Sequence, residues 1–129
     1  HIGRGLVIYI GIEIEDQISD LKWGSKKILG LRIFDDNDGR MNLPVKDDMG
    51  ILVVSQFTLC GNLKKGYRPS FNKAAQPSQA FALYEKFLEI LGISFGGNLE
   101  TGKFGAKMNI EMKEDGPVTI WLDSHHKSY

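Results

Sequence analysis

Two kinds of apolar run organise this chain. Residues 5–11 and 51–59 are short, almost unbroken and rich in β-branched side chains (Val7, Ile8 and Ile10; Ile51, Val53 and Val54). That pattern predicts two buried strands. Residues 15–29 instead space Ile18, Leu21, Ser25 and Ile28 at helical intervals and leave Lys22, Lys26 and Lys27 mostly outside. This predicts an amphipathic helix whose acidic first turn, Glu15 and Asp16, suits the helix dipole; Gly24 weakens its middle. From Ser78 to Leu91 a stripe of Phe81, Tyr84, Leu88 and Leu91 runs beside Leu83, Phe87 and Ile90. Pro77 fits the first turn of this helix and Gly92 predicts its stop. An apolar face that wide packs on a sheet.

Weaker signals fill the gaps. Leu31–Phe34 reads as a short strand, Asp35–Gly39 as a polar turn and Arg40–Leu43 as the returning strand. The acidic turn lacks the spacing of a calcium loop, because Gly39 comes too early, so no metal is expected. Residues 60–76 are a loop, and Gly96–Asn98 a flexible linker. Phe104, Ala106, Met108, Ile110 and Met112 alternate with Lys103, Gly105, Lys107, Asn109 and Glu111. Val118, Ile120 and Leu122 alternate likewise, so 103–112 and 118–122 read as two closing strands. Strands linked by hairpin turns predict one α/β domain over residues 1–129. Its expected architecture is a mostly antiparallel sheet or barrel-like β core with two main helices packed outside.

Composition narrows the class. With 129 residues, 42% hydrophobic and 25% charged, the chain suits one soluble globular domain. A single cysteine, Cys60, excludes an internal disulfide and fits a reducing cytoplasm. No run reaches membrane-spanning length and no signal-peptide pattern is present. Sixteen Lys and Arg balance sixteen Asp and Glu. Zero net charge argues against a broad grip on nucleic acid and allows a small footprint at one end of an RNA.

Candidate chemistry sits in three places. Ser55, Thr58 and Cys60 end the second buried run, with Ser55 and Phe57 on one face of the expected strand and Gln56 and Thr58 on the other. A Ser–His or Cys–His arrangement needs a positioned base, and His125 and His126 read as a solvated, mobile terminus. Cys60 reads as a packing residue, with no strongly cationic neighbour to activate it. Lys64, Lys65, Arg68 and Lys73 cluster in the following loop, as a solvated face or a phosphate contact. The Gly116–Pro117 step between two expected strands is either a trans hairpin turn or a cis step, which at Xaa-Pro costs only about 0.5–1 kcal/mol. The cis form would turn two carbonyl oxygens to one side as acceptors for an ammonium group.

Taken together, Ser55-Gln56-Phe57-Thr58-Leu59, Lys64-Lys65-Gly66, Arg68-Pro69-Ser70-Phe71 and Gly116-Pro117-Val118-Thr119 make the chain resemble the D-aminoacyl-tRNA deacylase family over residues 3–124. The resemblance implies hydrolysis of the ester of D-aminoacyl-tRNA, and of glycyl-tRNA, without a cofactor, in a homodimer with its site at the subunit interface. It places Ser55, Gln56, Phe57 and Thr58 at the catalytic centre. The Phe57 backbone N–H would hold the substrate and stabilise the oxyanion, and the ribose 2′-hydroxyl would help activate water. Thr58 is left as nucleophile or positioning group. Gly116 and Pro117, inserted into the partner's site, would bind the α-amino group and exclude an L side chain. Lys64, Lys65 and Arg68 would contact the tRNA acceptor end, and Met108 the terminal adenine or the core.

Two departures stand out. Glu114 occupies a position where the family commonly has Asn. The family usually has a further β-hairpin region, with an Arg that buttresses the Gly-Pro loop, before the point where this sequence begins; without it an edge of the sheet is uncovered, and with it the fold is intact. The alternatives are a catalytically impaired module that binds a tRNA 3′ end, and a hydrolase using Cys60 or Ser55.

Overall fold

The computed structural model describes residues 1–128. Their elements are, in chain order, β1 (Gly5–Ile10), α1 (Ile18–Gly30), β2 (Phe34–Asp35), β3 (Met41–Leu43), β4 (Gly50–Ser55), a 3-10 turn (Phe57–Cys60), α2 (Pro77–Ser94) and β5 (Asn98–Thr101). β4 lies between β1 and β5 and pairs with both in parallel, Gly5 opposite Gly50 and Gly50 opposite Asn98. β2 and β3 form a separate antiparallel pair.

The expected antiparallel or barrel-like core is therefore corrected. The main sheet is parallel and open. The reason is connectivity: α1 lies between β1 and β4, and α2 between β4 and β5, and a helical crossover returns the chain in the same direction. β4, in the middle of the sheet, is mostly buried, whereas β1 is half-buried with Tyr9 exposed; both read as continuous apolar runs, as strands of parallel sheets do. Ile51 and Val53 are fully buried, and they share one core with Leu21, Tyr84, Phe87, Leu91 and Phe95. Burying a side chain such as Phe87 or Leu91 contributes about 1.5–3 kcal/mol. The helices pack against each other as well as on the sheet. Among the described residues no helix is long and apolar enough to cross a membrane.

Several boundaries differ from expectation. α1 starts at Ile18, so Glu15 and Asp16 precede it and Asp20 is the acidic residue of its first turn, and β2 is Phe34–Asp35. α2 runs through Gly92 to Ser94, because nothing in the left-handed region interrupts it there. β4 stops at Ser55, and the chain tightens into the 3-10 turn. Residues 103–112 and 118–122 form no strand. Alternation alone does not make a strand; the backbone needs a partner edge, and β5 is instead Asn98–Thr101, between the expected linker at 96–98 and the expected strand at 103–112. The expected acidic turn is present between β2 and β3. One Asp36 oxygen accepts the N–H groups of Asp38 and Arg40, the other accepts from Asn42, and the bond from Arg40 is the main cause of its lowered pKa.

Two glycines separate close packing from mere flexibility. A Cβ on Gly5 would lie 1.8 Å from the Gly50 carbonyl oxygen, whereas one on Gly24, in α1, would meet nothing within 4 Å. Gly24→Ala should raise stability by about 0.5–1 kcal/mol. Gly5→Ala should lower it by about 1–3 kcal/mol. Urea midpoints of the two variants check both signs.

Candidate active site

β1 and β4 end side by side, at Ile10 and Ser55, and the Gln56 N–H continues the pairing by donating to the Ile10 carbonyl at 2.8 Å. The carboxyl ends of parallel strands are the usual place for a ligand crevice. A pocket of about 580 Å³ opens there. Its walls include Ser55, Gln56 and Phe57, then Phe71, Gln76 and Tyr84, then Phe104 and Met108.

The 3-10 turn changes the local geometry from that of a strand. Phe57 and Thr58 open it, and the first N–H groups of such a turn have no acceptor inside it. The Leu59 N–H donates to the Gln56 carbonyl at 3.2 Å, and the Gly61 N–H to that of Thr58 at 3.0 Å. The Gln56 side-chain amide donates to Thr58 Oγ1. Phe57 is 61% exposed at the rim and meets the edge of Phe71, ring centroids 5.1 Å apart. Tyr84 anchors the floor: its hydroxyl donates to the Val53 carbonyl at 3.3 Å and its ring lies 5.4 Å from Phe104. Burial raises the Tyr84 pKa.

No residue lining this pocket carries a formal charge at neutral pH. It holds no carboxylate, lysine, histidine or thiol. Any chemistry done here on an ester uses oriented dipoles, hydroxyls and water.

The expected site residues separate into groups. Ser55, Gln56, Phe57 and Met108 line the pocket, and Thr58 stands beside it, bonded to Gln56. Lys64, Lys65 and Arg68 are exposed on the loop after the turn, outside the pocket walls. Gly116 and Pro117 are exposed and joined by a cis peptide bond. They line a different groove, of about 1050 Å³, between β1 and residues 111–125.

Sequence reasoning treated Tyr84 only as part of a helical stripe and gave Phe71 no place in the site. A tyrosine in an otherwise aliphatic and phenylalanine-rich stripe was the available signal, since its hydroxyl must find a partner when buried. The tail is also corrected. His125 is docked: its Nε2 lies 2.7 Å from Asp16 Oδ1. Asp16, Asp20 and His125 bring their polar atoms within 4.8 Å of one another. The 2.7 Å separation is that of a hydrogen bond between His125 and Asp16, which becomes an ion pair when the imidazole is protonated.

The chain is similar to known proteins over nearly its whole length. The family model for D-Tyr-tRNA(Tyr) deacylase matches residues 1–123. A D-aminoacyl-tRNA deacylase of Thermotoga petrophila is 52% identical over 124 residues, 95% of this chain and 83% of the relative. One of Parabacteroides distasonis is 50% identical over 127 residues, 98% of this chain and 85% of the relative. The solved structure of a c-Myc DNA Unwinding Element Binding Protein is 42% identical, with a TM-score of 0.89 over 95% of this chain and 83% of its own. The chain belongs to the D-Tyr-tRNA(Tyr) deacylase family.

Cys60 is buried, its thiol donating to the Ile12 carbonyl at 3.6 Å. Burial, with Glu13 and Asp16 adding to it, pushes its pKa up to about 11. A protonated, covered thiol is not a nucleophile. Iodoacetamide at pH 8 should alkylate Cys60 only slowly in the folded protein and at the rate of a free thiol after unfolding in urea. Equal rates would return Cys60 to the list of candidate nucleophiles.

Proposed function

We propose that this chain is a hydrolase that cleaves the ester joining a D-amino acid to the terminal adenosine of tRNA, releasing free D-amino acid and tRNA. The observation that carries this reading is identity of about half, over nearly the whole chain, to proteins named for that activity. The block that most closely marks the resemblance, Ser55–Phe57, lies on the wall of the uncharged pocket.

In this reading water attacks the ester carbonyl, helped by the neighbouring ribose 2′-hydroxyl of the substrate. The Phe57 N–H, at the start of the 3-10 turn, donates to the developing oxyanion, a contribution of about 3–4 kcal/mol for one well-placed donor. Thr58, tied to Gln56, positions rather than attacks. The terminal adenine lies among Phe71, Tyr84, Phe104 and Met108. Lys64, Lys65 and Arg68, on the exposed loop beyond, meet acceptor-end phosphates.

Chirality is read by a second copy of the chain. Two protomers form a homodimer in which the Gly116 and Pro117 carbonyls of one reach the pocket of the other and receive the α-ammonium group. An L side chain would collide with them; a D side chain points away. Glycyl-tRNA, having no side chain, is hydrolysed too. The enzyme works in the cytoplasm, where charged tRNA is.

The groove beside β1 has a structural role in this reading. β1 is an edge strand, and residues 103–112 and 118–122 have strand-like alternation but no partner. We propose that an extended first strand of the family fold fills the space between them. A synthetic strand peptide alternating Val and Ile with polar residues should protect β1 amides from hydrogen exchange; unaltered exchange would refute this.

Purified protein should deacylate D-Tyr-tRNA rapidly and leave L-Tyr-tRNA intact. Tight binding of both without turnover would favour an impaired tRNA-end module. Gly116 has φ +125°, and a Cβ there would lie 2.9 Å from Val118 Cγ2. Gly116→Ala should therefore displace the turn and reduce D-over-L discrimination by about tenfold or more, with little effect on the urea midpoint because the turn is exposed.

A further inference from the structure

The 3-10 turn after β4 is too short to hold its own shape. Two backbone bonds close it, from the Leu59 N–H to Gln56 and from the Gly61 N–H to Thr58. The geometry of such a turn makes each of them weak. Its position must come from what surrounds it.

The surroundings are tight on two sides. Towards β1, a Cβ on Gly11 would lie 3.0 Å from the Gln56 carbonyl oxygen, 3.1 Å from Leu59 Cβ and 3.2 Å from Cys60 Sγ. Gly11 has no positive φ, so its backbone would accept a side chain, but the space would not. Towards the pocket, the Phe71 ring meets that of Phe57 edge-on, and a Cβ on Gly61 would lie 3.3 Å from Phe71 Cε1. Gly11 lines the groove beside β1 and is absent from the pocket wall, whereas Phe57 and Phe71 both stand on that wall.

We propose that Gly11 and Phe71 are positioning residues: they seat the 3-10 turn from its two sides and so fix where the Phe57 N–H stands. The proposal rests on the role given to that N–H above.

The two sides belong to one frame. The carbonyls that flank Gly11 are both bonded, Ile10 to the Gln56 N–H at 2.8 Å and Ile12 to the Ala75 N–H at 2.9 Å. Gly11 therefore cannot draw back. The Ile14 N–H donates to the Lys73 carbonyl at 2.9 Å, and the Ala74 N–H to that of Phe71 at 3.0 Å. Ser70, just before Phe71, exchanges two backbone bonds with Asn62, at 2.8 and 3.0 Å. Residues 70–75 thus fasten Phe71 both to the chain around Gly11 and to the exit of the turn. An atom added at Gly11 has nowhere to go but into the turn. A small displacement matters, because an oriented reacting group misplaced by about 1 Å can lose about 10²-fold in rate.

The test compares wild type, Gly11→Ala, Gly5→Ala and Gly24→Ala on D-Tyr-tRNA at equal concentrations of folded protein. Gly11→Ala should lower kcat by about tenfold, for a shift of a few tenths of an ångström. Its KM should stay within about twofold, since Gly11 is off the pocket wall. Gly5→Ala, crowded at the far end of β1, and Gly24→Ala, crowded nowhere, should keep the wild-type kcat. An equal fall of kcat in Gly5→Ala would show a merely structural effect and overturn the proposal. So would an unchanged kcat in Gly11→Ala.

A second readout needs no activity. Hydrogen exchange at the Leu59 and Gly61 amides, taken relative to the Val53 amide of β4, should quicken by about tenfold in both Gly11→Ala and Phe71→Leu. Unchanged relative exchange in either variant would overturn the seat. Quickened exchange in a protein that hydrolyses no ester would support the seat and remove the deacylase reading alone.

Discussion

Everything in this molecule is arranged around one central strand. β4 is paired on both edges, with Ile51 and Val53 completely out of solvent on one face and Leu52 half-buried on the other. A strand so placed cannot shift register without moving every apolar side chain to the wrong side. Its end point is therefore fixed in space. The chain uses that fixed point: immediately after Ser55 it leaves the ladder and turns, and the turn supplies the polar backbone of the pocket. Rigidity originates in the core and is delivered to the site through three or four residues of backbone.

The pocket and the grooved face follow different physical rules. The pocket is closed around by aromatic rings and short neutral side chains, so recognition there depends on shape, stacking and backbone donors. The groove beside β1 is bordered instead by the edge of the sheet, by residues 111–125 and by charged side chains such as Asp16, Asp20 and Glu114.

Much of the fold could be read directly from the residues. β1 and β4 were legible because both are short, unbroken, β-branched apolar runs, and both helices because their apolar stripes repeat at the right interval. The sheet's direction was not legible, since a local pattern of turns says nothing about which crossovers carry a helix. β5 was missed because Asn98–Thr101 owes its strand to the neighbouring β4 rather than to its own composition. Residues 103–112 misled in the opposite way: their alternation is real, but a pattern cannot supply the missing edge. The site block was legible through family likeness, whereas Phe71, Tyr84 and Phe104 come together only by folding from three distant stretches. His125 was read as free tail because an ion pair spanning more than a hundred residues leaves no trace in local sequence.

The neutrality of the pocket wall has an implication for anyone seeking a small molecule that blocks it. A carboxylate or amine on such a compound would have to shed its hydration without meeting an opposite charge. Affinity would have to come from flat, uncharged ring systems that slide between the aromatic side chains and offer a single carbonyl to the turn. Such compounds would be insensitive to buffer ions, and their selectivity would depend on the outline of the cavity alone.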